Sequence, residues 1–398
     1  MRIKELDGLG GRAGTPMTDH AEVGPATHAT MPAEESEPTP HRRPVGRFYR
    51  PELDALRFFA FFLVLLHHGP NFPGPFNAIK EIGAYGLSLF FLLSAYLITE
   101  LLLREREQTK RVSWKLFFIR RALRIWPLYY GAVAAVIVVS LHRHQVYVSH
   151  LHLLEMVLFV ANWFTVSFQL GPLTGHLWSI SVEEQFYLIW PPIMKFGGKR
   201  AVLATSMLLI AIAPLWMMLF SSKGWRIWYD TPVEFLFFAA GALIAIWVHR
   251  GVRKRSAGGR VLLLALGMAM FLGAAWIGPI GMDAIPGIGL REELLGYGLV
   301  MGGCAAIFFA TLGLVRVPGW LAYLGKISYG LYVFHFAMME ISLATLVKLH
   351  VPKPLYACAA DGLAAMLCIA VAHLSYKYFE MPFLRIKERF TVVQSRPA

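Results

Sequence analysis

Long apolar stretches recur along most of the chain and constrain its fold more than any other feature. Each can be drawn over roughly 17 to 25 residues, the length that a helix needs to cross the hydrocarbon core of a bilayer. They cover residues 53–72, 83–103, 123–141, 201–220, 231–249, 261–280, 292–315, 327–347 and 355–376. This pattern predicts an all-α fold, a polytopic bundle of transmembrane helices.

The composition supports this interpretation and excludes other classes of protein. Of the 398 residues, 56% are hydrophobic and 16% are charged, whereas a soluble domain carries about 25% charged residues. A soluble enzyme and a disordered chain are therefore both disfavoured. The net charge of +13 could indicate nucleic-acid binding in a soluble protein. In a membrane protein the positive charge is explained more simply by basic cytoplasmic loops, so no nucleic-acid partner is predicted.

The positions of lysine and arginine predict the orientation. Basic residues concentrate in 104–124, in 250–260, in 195–200 and after residue 376, whereas 281–293 is acidic apart from one arginine. Short basic loops stay in the cytoplasm, so the first four segments are expected inside and the last outside.

The segment 150–197 must then cross the membrane once, although it holds two apolar stretches. We expect 176–194 to be the span and 150–170 to lie against the outer interface or to re-enter. The total is about ten spans in the cytoplasmic (inner) membrane, with both termini in the cytoplasm.

Outside the spans, the sequence predicts little ordered structure. Residues 1–47 are rich in Pro, Thr, Glu and His and read as a disordered cytoplasmic tail. A membrane domain over 48–385 and a short cytoplasmic tail over 386–398 complete the predicted organisation. The chain has three cysteines, Cys304, Cys358 and Cys368, in apolar runs without paired or metal-ligand spacing, so neither a disulfide nor a metal site is indicated.

Charged side chains inside the predicted spans are the main functional candidates, because hydrocarbon makes an unpaired charge costly. Arg57 and His68 are eleven residues apart, which returns to within about 20° of the same helix face and separates them by about 16 Å. They form one stripe, with the arginine near the cytoplasmic end and the histidine deeper. The alternative is that Arg57 reaches the interface and His68 only caps the helix.

Three arginines, Arg120, Arg121 and Arg124, precede Pro127 at the start of another span. Each guanidinium is a permanently charged planar fork, so the group could bind phosphates. The competing interpretation is a topology signal that contacts anionic lipid heads.

Two further clusters place polar groups at span edges. Glu183 and Glu184 follow each other in HLWSISVEEQFYLIWP (176–191) and cannot both face lipid; a structural ion pair with an arginine is the alternative to a functional role. In KISYGLYVFH (326–335), Ser328, Tyr329, Tyr332 and His335 recur at helical spacing and predict an inward polar face. A lone histidine such as His335 is by default a core residue.

Six of these segments, in this order, resemble the membrane acyltransferase-3 family of bacterial O-acyltransferases over about residues 50–385. The resemblance is carried by Arg57 and His68 with their ten-residue spacing and by five further motifs. These are GAYGLSLFFLLSAYLI (83–98), RRALRIWPLY (120–129), WSISVEEQFYLIWP (178–191), KISYGLYVFH (326–335) and YFEMPF (378–383).

The resemblance implies transfer of an acyl group, often acetyl, from a cytoplasmic coenzyme A thioester to a hydroxyl. His68 would be the catalytic histidine, Arg57 and the three arginines would bind the donor or line the site, and Glu184 would orient an arginine or the histidine. Whether His68 is a base or is transiently acylated stays open. The remaining expected substrate-binding residues are Trp178, Ser179, Glu183, Tyr329 and His335.

No permanently bound cofactor is implied, because acyl-CoA, most simply acetyl-CoA, is a co-substrate. The acceptor could be a carbohydrate, a lipid-linked glycan, a lipid headgroup or a small natural product. Two other classes compete: a transporter or exporter, since intramembrane charges also mark substrate paths, and a non-catalytic membrane scaffold.

Overall fold

A computed structural model describes residues 48–394, except 73, 75–76, 145–147, 165–172, 221–226, 250, 253 and 278–288. The predicted tail over 1–47 lies outside the described residues. Within them the protein is helical and has no strand. The predicted all-α class is therefore confirmed.

The main helices follow the apolar stretches closely. They are α1 (Pro51–His68), α2 (Asn77–Gly83), α3 (Tyr85–Thr109), α4 (Trp114–Arg143), α5 (His150–Val157), α6 (Ala161–Phe164), α7 (Trp178–Phe220), α8 (Thr231–Val248), α9 (Ala257–Ile277), α10 (Leu290–Thr311), α11 (Gly319–Lys326), α12 (Ser328–Lys348), α13 (Lys353–Ser375) and α14 (Met381–Glu388). A π-helical turn, Tyr376–Glu380, joins the last two.

Eight stretches of the described chain are long and apolar enough to cross a membrane. One of them, Gly175–Phe220, has 46 residues, which at 1.5 Å per residue would reach about 70 Å across a core of about 30 Å. It contains two predicted spans, because α7 is interrupted at Gly198, where φ is 62°. Helix α1 is too charged to be counted among the eight, since its first turns hold Glu52, Asp54 and Arg57. The polytopic bundle is thus confirmed, while its orientation stays a prediction.

The stretch after α4 is not a single spanning helix in its described part. Helices α5 and α6 have eight and four residues, too few to cross a bilayer. They are tied to the bundle through polar contacts: the Tyr129 hydroxyl donates to the Met156 carbonyl at 3.0 Å, and Asn162 Nδ2 donates to the Tyr229 carbonyl at 3.0 Å. This agrees with an interfacial or re-entrant segment over 150–164.

Glycines allow the central helices to approach closely. A side chain at Gly86 of α3 would overlap the Ala60 carbonyl of α1, and one at Gly241 of α8 would overlap the Leu92 carbonyl of α3. Without a strong hydrophobic force between helices in lipid, such close contacts supply much of the packing energy. Helices α1, α3 and α8 are therefore packed side by side in close contact.

We expect Gly241→Ala to lower the melting temperature of the detergent-purified protein. The added methyl group must push α8 away from α3, and overpacking of this kind typically costs about 1–3 kcal/mol. Gly258→Ala is the matched control, because a methyl group there meets open space. Equal melting temperatures for both variants would contradict the close α3–α8 contact.

Candidate active site

Three adjoining cavities run through the bundle beside α1. The mouth cavity lies at the start of α1, and its basic lining residues are Arg50, Arg57, Arg120, Arg121, Arg124 and Lys387. The middle cavity shares Arg57, Arg121 and Arg124 with the mouth. The histidine cavity lies at the end of α1 and shares Leu87 and Tyr332 with the middle cavity.

Helix α1 therefore connects two chemically different places. Arg57 lines the first two cavities, and His68 lines the third. Their rise along the helix is about 16 Å. The predicted stripe, with arginine at one end and histidine at the other, corresponds to this series of cavities.

The mouth cavity holds more positive than negative charge. Only two acidic residues line it, and both are ion-paired: Asp54 with Arg57 at 3.1 Å, and Glu105 with Arg120 at 3.0 Å. Arg120 also donates to the Phe390 carbonyl at 3.0 Å. These contacts hold Arg57 and Arg120 in place, and the remaining basic side chains leave the cavity lining with a net positive charge.

The other two sequence-predicted arginines are held differently. Arg121 lies over the rings of Phe117 and Tyr187, at 5.4 and 5.3 Å from the centroids. Arg124 makes no ion pair or hydrogen bond with any described residue, and it faces both the mouth and the middle cavity. A guanidinium in this position can bind a phosphate bidentately. Lys387, on α14, adds a cation that the sequence did not single out.

The two adjacent glutamates occupy different surroundings, because neighbouring residues on a helix point about 100° apart. Glu183 lines the middle cavity beside Ser94 and Tyr187, whose hydroxyls are 2.9 Å apart. Glu184 is buried beside Trp126 of α4 and lines none of the three cavities. Neither glutamate forms an ion pair within the described part of the chain. The structure thus brings Glu183 into the site and does not bring Glu184 next to His68.

Several predicted binding residues line the cavities through their polar groups. Ser179 Oγ is 2.6 Å from the Tyr332 hydroxyl in the middle cavity. The Tyr329 hydroxyl donates to the Ile125 carbonyl of α4 at 2.9 Å. Trp178 lines the histidine cavity and packs edge-on against Tyr229, with centroids 4.7 Å apart. These contacts hold the hydroxyl and indole groups in fixed positions around the site.

Three histidines at the deep end share one hydrogen-bonding pattern. His68 Nδ1 donates to the Val64 carbonyl at 2.8 Å, His176 Nε2 donates to the Val333 carbonyl at 3.1 Å, and His335 Nδ1 donates to the Tyr332 carbonyl at 2.5 Å. Because a carbonyl only accepts, the facing nitrogen carries the hydrogen, and the other nitrogen presents a lone pair. Those other nitrogens, His68 Nε2, His176 Nδ1 and His335 Nε2, are buried without a partner among the described residues.

The three imidazoles also pack together. The His335 ring lies 5.0 Å from His68 and 4.7 Å from His176, and Phe336 packs at 4.6 Å from both of these. His335 is fully buried and lies behind the cavity lining. Its burial agrees with the expectation from the sequence that it is a core residue. It also contacts His68 and His176, two of the three histidines that line the cavity.

Sequence reasoning did not select His176 as a candidate, although it is the first residue of the segment HLWSISVEEQFYLIWP (176–191). The sequence did indicate the inward polar face of α12, and two residues of that face, Tyr332 and His335, contact His176 in the structure. What the sequence lacked was the pairing of that face with the end of α1. No group of three or more His, Cys, Asp or Glu residues in the described chain is arranged to hold a metal ion.

Comparison with known proteins decides the family. The sequence profile of the acyltransferase-3 family, described as an acyltransferase domain, matches residues 50–375. The chain belongs to this family. No solved structure matches the chain.

Two relatives carry the name O-acetyltransferase. The peptidoglycan O-acetyltransferase OatA of Listeria monocytogenes is 28% identical over 363 residues, which cover 85% of this chain and 56% of the relative. The O-acetyltransferase OatA of Staphylococcus aureus is 24% identical over 366 residues, covering 84% and 57%. The chain therefore spans a little over half the length of these relatives.

The contrasting contacts of Arg120 and Arg124 give a prediction for this family member. Arg120→Ala should lower the melting temperature more than Arg124→Ala, because it leaves the buried Glu105 carboxylate without its partner, which costs about 3–5 kcal/mol. Arg124→Ala should instead weaken binding of adenosine 3′,5′-bisphosphate, measured by calorimetry. If Arg124→Ala lost as much stability as Arg120→Ala, its side chain would be part of the packing.

Proposed function

We propose that this protein is an integral membrane O-acetyltransferase that moves an acetyl group from acetyl-coenzyme A to a hydroxyl of a carbohydrate acceptor. The observation that carries the proposal is the series of cavities from a basic mouth to an imidazole with an unpaired nitrogen. A thioester donor that carries phosphates needs a basic site for the phosphates and a base near its reacting carbonyl. The two must be separated by the length of the arm that joins phosphates and thioester. The family and the names of the relatives support the same reaction.

The mouth cavity is suited to the phosphates of the donor. Arg121 and Arg124 line both the mouth and the middle cavity, so the phosphates would lie against these two guanidinium groups and the arm of the donor would extend from there into the middle cavity. Lys387 and Arg120 add positive charge around the phosphates. The mouth lies beside the segment 104–124, which is predicted to be cytoplasmic, where acyl-CoA is available.

His68 supplies the base. Its Nδ1–H bond to the Val64 carbonyl fixes the tautomer in which Nε2 can accept a proton. The acceptor hydroxyl gives its proton to Nε2 as its oxygen attacks the thioester carbonyl. The new C–O bond forms, the C–S bond breaks, and the proton passes from the imidazolium to the leaving thiolate. Positioned proton transfer contributes about 10²- to 10⁴-fold in rate.

The carbonyl oxygen becomes negatively charged during this attack and needs hydrogen-bond donors about 2.7–3.1 Å away. Hydroxyl groups from three helices line the middle cavity, which adjoins the histidine cavity: Ser94, Ser179, Tyr187 and Tyr332. The Ser179–Tyr332 pair lies closest to the histidines, because the Tyr332 hydroxyl also donates to the His176 carbonyl at 2.9 Å. We assign oxyanion stabilisation to this pair: Ser179 Oγ, which lies 3.1 Å from the same carbonyl, would turn its single hydrogen from its present acceptor to the oxyanion, while Tyr332 keeps its bond to the His176 carbonyl.

A carbohydrate acceptor fits the relatives, one of which is named for peptidoglycan. A lipid-linked glycan or a glycosylated small molecule would present the same hydroxyl chemistry. A transporter is not supported, since the family is one of acyltransferases. The same family and the helical bundle support a location in the cytoplasmic membrane.

We expect His68→Ala to reduce acetyl transfer at least 100-fold, because the reacting hydroxyl loses its base. The measurement uses membranes containing the full chain, radiolabelled acetyl-CoA and an extract of host glycans, with products identified by mass. His142→Ala, which removes an exposed histidine at the end of α4, should transfer normally. Normal transfer by the folded His68→Ala variant would remove His68 from the mechanism.

A companion panel of acetyl-, propionyl- and succinyl-CoA tests the donor. Acetyl-CoA should be consumed fastest, and coenzyme A without an acyl group should compete with it, because both carry the same phosphates. Transfer without any acyl-CoA would show that another donor is used.

A further inference from the structure

The proposed reaction leaves the imidazole of His176 unused, although this side chain lines the histidine cavity with a buried nitrogen that has no partner among the described residues. It enters the cavity from the turn Gly175–Leu177 before α7, whereas His68 enters from the end of α1. The His176 side chain is fixed from two sides, by its bond to the Val333 carbonyl and by stacking on Phe336 at 4.6 Å and 22°. It is only 2% exposed, so its unpaired Nδ1 is a buried and immobile acceptor.

Two unpaired nitrogens belong to residues that line this cavity, and both are hydrogen-bond acceptors. His68 Nε2 and His176 Nδ1 both present lone pairs, and both residues line the same space. Neutral lone pairs are satisfied by hydrogens of O–H groups. A buried acceptor without its donor costs about 1–3 kcal/mol, so the ligand that completes the site must bring more than one hydrogen-bond donor.

The size of the space limits what can supply those hydrogens. The histidine cavity has a volume of about 20 Å³, too small for a sugar ring, so an acceptor can place only hydroxyl groups there while its ring stays in the adjoining middle cavity. An acceptor that places a single hydroxyl in this space would pair His68 and leave His176 unpaired, whereas two neighbouring hydroxyls offer one hydrogen to each nitrogen.

We propose that His176 accepts a hydrogen bond from a second hydroxyl of the acceptor, so that the site selects vicinal diols over single alcohols. This inference rests on the proposed function, in which His68 takes the proton of the reacting hydroxyl. It makes His176 a substrate-binding residue and narrows the acceptor class to polyols such as sugars. His335, which lies behind both rings, holds them in place and does not contact the acceptor.

Binding of three small probes to the purified full-length protein in detergent tests the proposal without any acyl donor. The probes are cis-cyclohexane-1,2-diol, cyclohexanol and cis-2-methoxycyclohexanol, measured by ligand-observed NMR. The diol should bind about 3- to 10-fold more tightly than cyclohexanol, the value of one neutral hydrogen bond. The methoxy compound keeps the second oxygen without its hydrogen and should bind no better than cyclohexanol.

The variant His176→Phe should bind the diol and cyclohexanol equally, while His142→Phe, at an exposed position, should keep the preference of the wild type. Equal binding of all three probes by the wild-type protein, or no binding of any of them, would overturn the proposal. The same holds if folded His176→Phe keeps the preference for the diol. Because the probe series uses the wild-type protein, the test survives even if the Phe variant does not fold.

The probe-binding experiment and the acetyl-transfer experiment can fail independently of each other. A diol preference that depends on His176, together with no acetyl transfer from acetyl-CoA, would keep this site and remove the proposed reaction. Transfer by the wild type that is equally efficient to single alcohols and to diols would keep the reaction and remove the role of His176.

Discussion

The structure depends on the cost of placing a polar group in hydrocarbon. A charged or hydrogen-bonding side chain in a membrane span must face the interior of the bundle and find a partner there. At the end of α3 this requirement is met by ion pairs: Glu100 with Arg104 at 2.7 Å and Glu105 with Arg120 at 3.0 Å. The first pair lies within α3, whereas the second joins α3 to α4 and keeps Glu105 from cancelling the remaining arginines of the mouth.

The candidate site lies where buried polar side chains have no partner within the described chain. Arg124 faces two cavities without an ion-pair partner in the described chain, and His68 and His176 each keep one buried nitrogen unpaired. Unpaired cations at one end suit anionic phosphates, and unpaired lone pairs at the other suit hydroxyl hydrogens. These two kinds of unpaired group would suit the two substrates of the proposed acetyl transfer. On α1, Arg57 lines the cavities with Arg124 and His68 lines the third, with a rise of about 16 Å between them.

Buried imidazoles can serve this purpose because their backbone bonds fix their tautomers. Each of the three rings donates one N–H to a carbonyl of a helix, and Phe336 packs among them. The rings are therefore held in fixed orientations, which in the proposed reaction would spare the entropy of arranging the base. Residues remote from the reacting atoms, such as His335, contribute by holding this arrangement.

The sequence by itself determined the helical class, the approximate spans and the location of the polar clusters, because helical periodicity and apolar length are local properties. It also gave the shared stripe of Arg57 and His68, which needs only one helix. Only the tertiary structure decided that His176 meets the end of α1 and that Glu183 rather than Glu184 lines a cavity. These facts depend on which faces of distant helices pack together, and that choice is made by the close contacts of the whole bundle and by no short stretch of the chain.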